Sequence, residues 1–203
     1  MTDVADAVRD GTAEAIDLGR ARCYALLGAL LARPPAAHLL GQVATVTGDD
    51  TPVGEALGAL AEAAAEADED RVEREFHHLF VGVGRGELLP YGSYYQTGFL
   101  HERPLARLRG EMQDLGIVRA DGVVEPEDHI AQLCEMMAGL ATGAFPSDPE
   151  RQRRFFERHV ASWAPRFFSD LETAKAARFY RAVGRFGRVV MDVERDAYAL
   201  GDG

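Results

Sequence analysis

Apolar residues return every three or four positions along nearly the whole chain, and strict alternation is almost absent. That spacing is the helical one, so the expected fold class is all-α: a single-domain helical bundle of about eight or more helices. Residues 12–32 set Ile16, Cys23, Leu26, Leu27, Leu30 and Leu31 on one stripe, which Pro34-Pro35 stops. Helices are expected over 36–46 and 53–67. Val72, Phe76, Leu79, Phe80 and Val83 continue the rhythm until GVGRGELLP breaks it with three glycines and a proline. Leu105, Leu108, Met112 and Leu115 mark a helix closing at Gly116, and IVRADGVVEP is an irregular connection with an Asp-Gly turn. A further helix is expected over 126–141, striped by Ile130, Leu133, Cys134, Met137 and Leu140. Phe156, Val160, Trp163 and Phe167 form the next stripe; Phe179, Val183, Phe186, Val190 and Val193 form the last. No linker interrupts the series, so 1–203 reads as one domain, with residues 1–11 expected to be a mobile N-terminus.

Composition narrows the function. At 203 residues, 47% hydrophobic and 27% charged, the chain is globular rather than disordered. A net charge of −11 disfavours nucleic acid, whose phosphates need a basic face. The longest apolar run, Tyr24 to Ala32, is about half a membrane span. The acidic N-terminus has no apolar signal core, so cytoplasmic residence without stable membrane insertion is expected. Cys23 and Cys134 lie far apart on apolar stripes and read as buried thiols, not a disulfide or zinc framework.

Candidate chemistry is sparse. Gly82-Val-Gly-Arg-Gly86 resembles half a phosphate loop, but it follows a helix and lacks the closing Lys-Ser/Thr; a helix cap and loop fit it better. His77-His78 and His129 lack partners at metal-ligand spacing, and no nucleophile elbow is present, so neither catalysis nor a metal or cofactor is expected. In Glu125-Pro126-Glu127-Asp128-His129-Ile130, proline and two acids suit a helix start, with Asp128 expected on the accessible polar face beside Gln132 and Glu135. Trp163, before Pro165, reads as a core ring closing a helix. The aromatic stretch 91–99 can be core, a stacking platform or a docking wall.

Three blocks in order carry a family resemblance: Glu75-Phe-His-His-Leu79-Phe80-Val-Gly82, Leu89-Pro90-Tyr91-Gly-Ser93-Tyr-Tyr95, and Glu125-Pro126-x-Asp128-His129-Ile130. A fourth, Phe156-x-x-His159-Val-x-x-Trp163-x-Pro165-x-Phe167, follows near the C-terminus. Together they cover roughly residues 15–195, and the chain resembles the TorD/DmsD family of redox-enzyme maturation chaperones. The resemblance implies an all-helical chaperone, not an enzyme, that binds the twin-arginine leader of the precursor of a molybdopterin-dependent oxidoreductase before export. It implies a peptide-binding surface of Leu79, Phe80, Pro90, Tyr91, Ser93, Tyr95, Pro126, Asp128 and His129. Relatives often carry an acidic or bulky residue where Gly92 stands, and the related nitrate-reductase chaperones carry a different second block. Acidity and an aromatic-rich loop are compatible with such a receptor, since guanidinium groups and an apolar helix need carboxylates and an apolar groove. A helical small-ligand or nucleotide binder using the GVGRG loop and His129 is the alternative. The sequence does not choose between a monomer and a homodimer with exchanged helices.

Overall fold

The computed structural model describes residues 4–119, 122 and 124–200, with side chains from Glu14 onward. Ten α-helices and no strand are formed among them: α1 Val4–Ala32, α2 Ala37–Ala44, α3 Pro52–Ala65, α4 Glu69–Phe76, α5 Gly92–Thr97, α6 Arg103–Asp114, α7 Ile130–Ala141, α8 Pro149–Phe155, α9 Ala164–Thr173 and α10 Phe179–Leu200. The all-α expectation is met. Two π-helical turns, His77–Val81 and Phe156–Ala161, extend α4 and α8.

Local chemistry sets the ends. Thr51, Asp68 and Asp148 cap α3, α4 and α8 by accepting backbone N–H groups three residues on. Gly82 ends the first π turn at φ +62, where a side chain would be strained, so the GVGRG segment is a cap and loop. Trp163 interrupts the helix after the second π turn, and α9 restarts at Ala164 with Pro165 in its first turn.

α1 packs along α7, while α10 packs against α9 and α3, and α2 lies on α3. Tyr24, Leu27 and Leu30 of α1 meet the α7 stripe of Ile130, Leu133, Met137 and Leu140 in one core that also takes Phe155, Phe167, Phe168 and Phe186. Each such fully buried side chain contributes roughly 1.5–3 kcal/mol of transfer free energy. Helix α10 begins where the Glu75 carboxylate accepts the backbone N–H groups of Arg178, Phe179 and Tyr180 at 2.7, 3.2 and 2.7 Å. Glu75 is itself buried. Its charge is matched to the positive end of a helix that lies more than a hundred residues later in the chain.

Several expectations need correction. Ile16 and Val193, expected on buried stripes, are exposed, each toward the outer end of its helix's packed segment. Val83 lies beyond Gly82 in the open loop. Cys134 is buried and Cys23 only half-buried; both are free thiols. Helix α7 starts at Ile130, not at 126, since the backbone before it is committed elsewhere. Helix α1 runs back to Val4; residues 1–3 and the side chains of 4–13 lie outside the described residues. So does Asp121 of the expected Asp-Gly turn, although Gly122 has φ +82.

Candidate functional site

The second and third sequence blocks cross. Tyr91 and His129 form an antiparallel bridge, with Ile130 N–H donating to the Pro90 carbonyl and Gly92 N–H to the Asp128 carbonyl, both at 2.9 Å. His129 is thereby held extended and caps α7, its Nδ1 accepting the Ala131 N–H at 3.1 Å. The Asp128 carboxylate accepts the Ser93 N–H at 2.7 Å, which caps α5 from outside its own segment. Asp128 is 3% exposed, so the accessible acid expected from helical periodicity is a buried one. The reason is that residues 126–129 form a turn, with His129 N–H bonded to the Pro126 carbonyl, rather than the first turn of α7.

Burial drives the His129 imidazole down to about 4 against the opposing pull of Glu125 and Asp128. The ring is therefore neutral at physiological pH, and with Nδ1 accepting, its proton sits on Nε2. The Tyr91 ring stands edge-on to His129 at 5.1 Å, and the Tyr91 hydroxyl donates to the Glu125 carboxylate. Glu127 is turned away toward Arg109 (2.8 Å) and Arg119 (3.8 Å). Although burial alone would raise its carboxyl, Arg109 holds it below the usual range.

Behind this crossing lies an aromatic wall. Tyr95 lies tilted against Trp163 (5.4 Å) and edge-on to Phe167 (5.9 Å) and donates its hydroxyl to Asp170 at 3.0 Å. Phe80 meets Phe76, Tyr180 and the same Phe167, while Leu79 is wholly buried. The Trp163 indole N–H donates to the His159 carbonyl at 2.7 Å, and a side chain at Gly92 would reach within 2.9 Å of that nitrogen. Gly92 is there because the indole leaves no room for anything larger.

His129 and Glu125 open on a groove of about 910 Å³ between α1, α2 and α7. Ala25, Ala29 and Ala32 give α1 an exposed small-residue wall, and Pro35 and Leu39 extend it. Glu135 also lines the groove, its Cγ 3.2 Å from where a side chain at Gly28 would begin. Burial raises the Glu135 carboxyl above the usual carboxylate range. Among the described residues it has no hydrogen bond or ion pair, although the same groove is also lined by Arg33 and His38 toward α2.

A second cleft of about 810 Å³ between α6 and α8 is internally matched. Glu111 binds His159 at 2.7 Å and Arg158 at 3.8 Å, and Arg151 donates to the Asp114 carbonyl at 2.9 Å. No group of three His, Cys, Asp or Glu residues converges as a metal would require among the described residues, and no helix there is long and apolar enough to cross a membrane.

Residues 47–169 match the model of the family described as nitrate reductase delta subunit, more than half of the chain. The chain belongs to this family. Among curated relatives of the chain, the chaperone protein TorD of Vibrio cholerae is 27% identical over 135 residues, 62% of this chain and 60% of that protein. TorD of Aliivibrio salmonicida is 29% identical over 122 residues, 55% and 57% of the two chains. The matched part thus spans about three fifths of these relatives. A solved structure from Archaeoglobus fulgidus, described as a redox enzyme maturation protein, shares the fold with a TM-score of 0.57, at 19% identity over 85% of this chain and 93% of its own. The TorD/DmsD resemblance read from four blocks therefore holds, and the family model does not separate that group from the nitrate-reductase chaperones.

Within this family member the nine residues expected to form a peptide-binding surface divide. Pro90, Tyr91, Ser93, Asp128 and His129 come together at the crossing, with Pro126 in the turn that leads into it. Phe80 and Tyr95 both meet Phe167, and Leu79 is buried in the core. Only His129 of the nine lines the groove, and Tyr91 reaches it through Glu125. The residues that sequence reasoning passed over are Glu125 and Glu135 as site carboxylates and the alanines of α1. Their signal was small but present: Ala25, Ala29 and Ala32 recur at four- and three-residue steps on an otherwise leucine-rich helix.

Proposed function

We propose that this chain is a cytoplasmic maturation chaperone that binds the twin-arginine leader of a molybdopterin-dependent oxidoreductase and acts by binding, not catalysis. The observation that carries this reading is Glu135, a partly desolvated and unpaired carboxylate on a groove walled by alanines. A leader offers two guanidinium groups beside a short apolar helix. The alanine wall admits the close approach of such a helix, and Glu135 with Glu125 supplies acceptors for the arginines. Membership of a family whose curated relatives are TorD chaperones supports the same reading.

Calorimetric titration of a synthetic leader into the wild-type chain and the Glu125→Gln/Glu135→Gln variant tests it. Loss of two charge-assisted contacts lowers affinity by about tenfold or more. A double variant that binds the leader as tightly as wild type refutes the site, and a wild-type chain indifferent to the leader refutes the function.

A further inference from the structure

Away from the groove, a cleft of about 530 Å³ opens between α4 and the start of α10. Arg71 and Arg74 line it from α4, Arg178 from the residue just before α10 and Arg181 from α10 itself, and Ala63, Ala67 and Ala176 supply apolar wall. The charge balance differs from that of the α6–α8 cleft, where Arg154 and Arg158 meet Glu150 and Glu111. Among the described residues none of these four guanidinium groups is within ion-pair distance of a carboxylate. Arg178 donates only to the carbonyls of Lys175 and Ala177, and Arg181 only weakly to Ala177. Glu75, the nearest buried acid in the lining, is consumed by three backbone N–H groups of α10. A chain of net charge −11 therefore presents four arginines without acidic partners in one recess.

The spacing describes the ligand. Arg71 and Arg74 sit about one turn apart on α4, about 4.5 Å along its axis, and Arg178 and Arg181 flank the start of α10 on the other wall. Charges spread in steps along two walls suit carboxylates spread along a polypeptide better than the compact charge of a single phosphate. The partly exposed Ala63, Ala67 and Ala176 between them ask for apolar side chains interleaved with those carboxylates. The same lining also carries the acids Glu66 and Asp68, so the positive charge is confined to the arginines. We infer that this cleft is a second docking site, which takes an acidic, partly apolar segment of a polypeptide partner independently of the α1–α7 groove.

The test uses calorimetry at low salt with the full chain and three probes: a peptide of repeated Leu-Glu-Glu-Leu, its Leu-Gln-Gln-Leu counterpart, and inorganic tripolyphosphate. The Glu peptide binds, binding falls with added salt, and Arg71→Ala/Arg74→Ala weakens it at least about fivefold while Arg71→Lys/Arg74→Lys retains most of it. Leader affinity is unchanged in both variants, which separates this site from the groove. The inference is overturned if the Glu peptide does not bind, if the Gln peptide binds equally well, or if tripolyphosphate binds more tightly than the Glu peptide. It is also overturned if the Ala variant binds as wild type does, or if the arginines instead prove to hold a second copy of the chain by sedimentation.

Discussion

The Asp128 carboxylate accepts the Ser93 backbone N–H at 2.7 Å across 35 residues of sequence. This bond ties the short helix α5 to the segment entering α7, and it makes Asp128 a structural cap rather than an exposed acid. Asp128→Ala is expected to destabilise the fold by about 1.5–3 kcal/mol, and Asp128→Asn by less because it keeps an acceptor. Urea denaturation measures both. A loss of leader affinity in an Asp128 variant then has to be weighed against its stability before it counts as a lost contact.

Gly92 faces the only tryptophan. Gly92→Ala forces the Trp163 indole to shift or α5 to retreat, at a cost of about 1–3 kcal/mol. The single-tryptophan emission spectrum reports the displacement directly, and an unchanged spectrum with unchanged melting temperature would contradict the contact.

His129 makes stability depend on pH with a definite sign. Its folded pKa of about 4 lies below the ordinary value of 6.5, so between these the unfolded chain binds a proton that the folded chain refuses. Stability from this residue is complete above pH 6.5 and falls as pH drops toward 4, by up to about 3 kcal/mol. His129→Gln flattens that part of the profile, as pH-dependent urea midpoints would reveal.

Glu135 predicts the pH response of binding. Since burial holds its carboxyl above the usual range, leader affinity declines in mildly acidic buffer before an ordinary glutamate would titrate. The difference between wild type and Glu135→Gln in calorimetric titrations over that range isolates the effect from His129.

Glu75→Ala removes the acceptor of three α10 amides, and a loss of about 2–4 kcal/mol is expected. Hydrogen exchange at Arg178, Phe179 and Tyr180 should accelerate more than at the middle of α10.

The helices were legible because burial and period coincide in them: the stripes of α7 and α10 were readable to within a few residues, and the Pro34-Pro35, Gly82 and Gly116 stops were chemical punctuation. The error at 126–129 was instructive. Proline followed by two acids is sound helix-start chemistry, yet a backbone bridge to Tyr91 claimed those residues, and periodicity carries no information about a partner thirty-odd residues away. For the same reason Asp128 could not be seen as buried. The groove was illegible for a different cause: its wall is built from alanine, which looks like helix filler until a neighbouring helix shows which side of it stays open.

The long-range caps also fix an order of events during synthesis. Helix α5 lacks its outside acceptor until Asp128 has been made, the groove lacks a wall until α7 exists, and the Glu75 carboxylate stays without its amides until Tyr180. A nascent chain on the ribosome therefore holds the two walls of the groove apart in sequence until α7 is made, and holds a buried acid without its amides until the last helix begins.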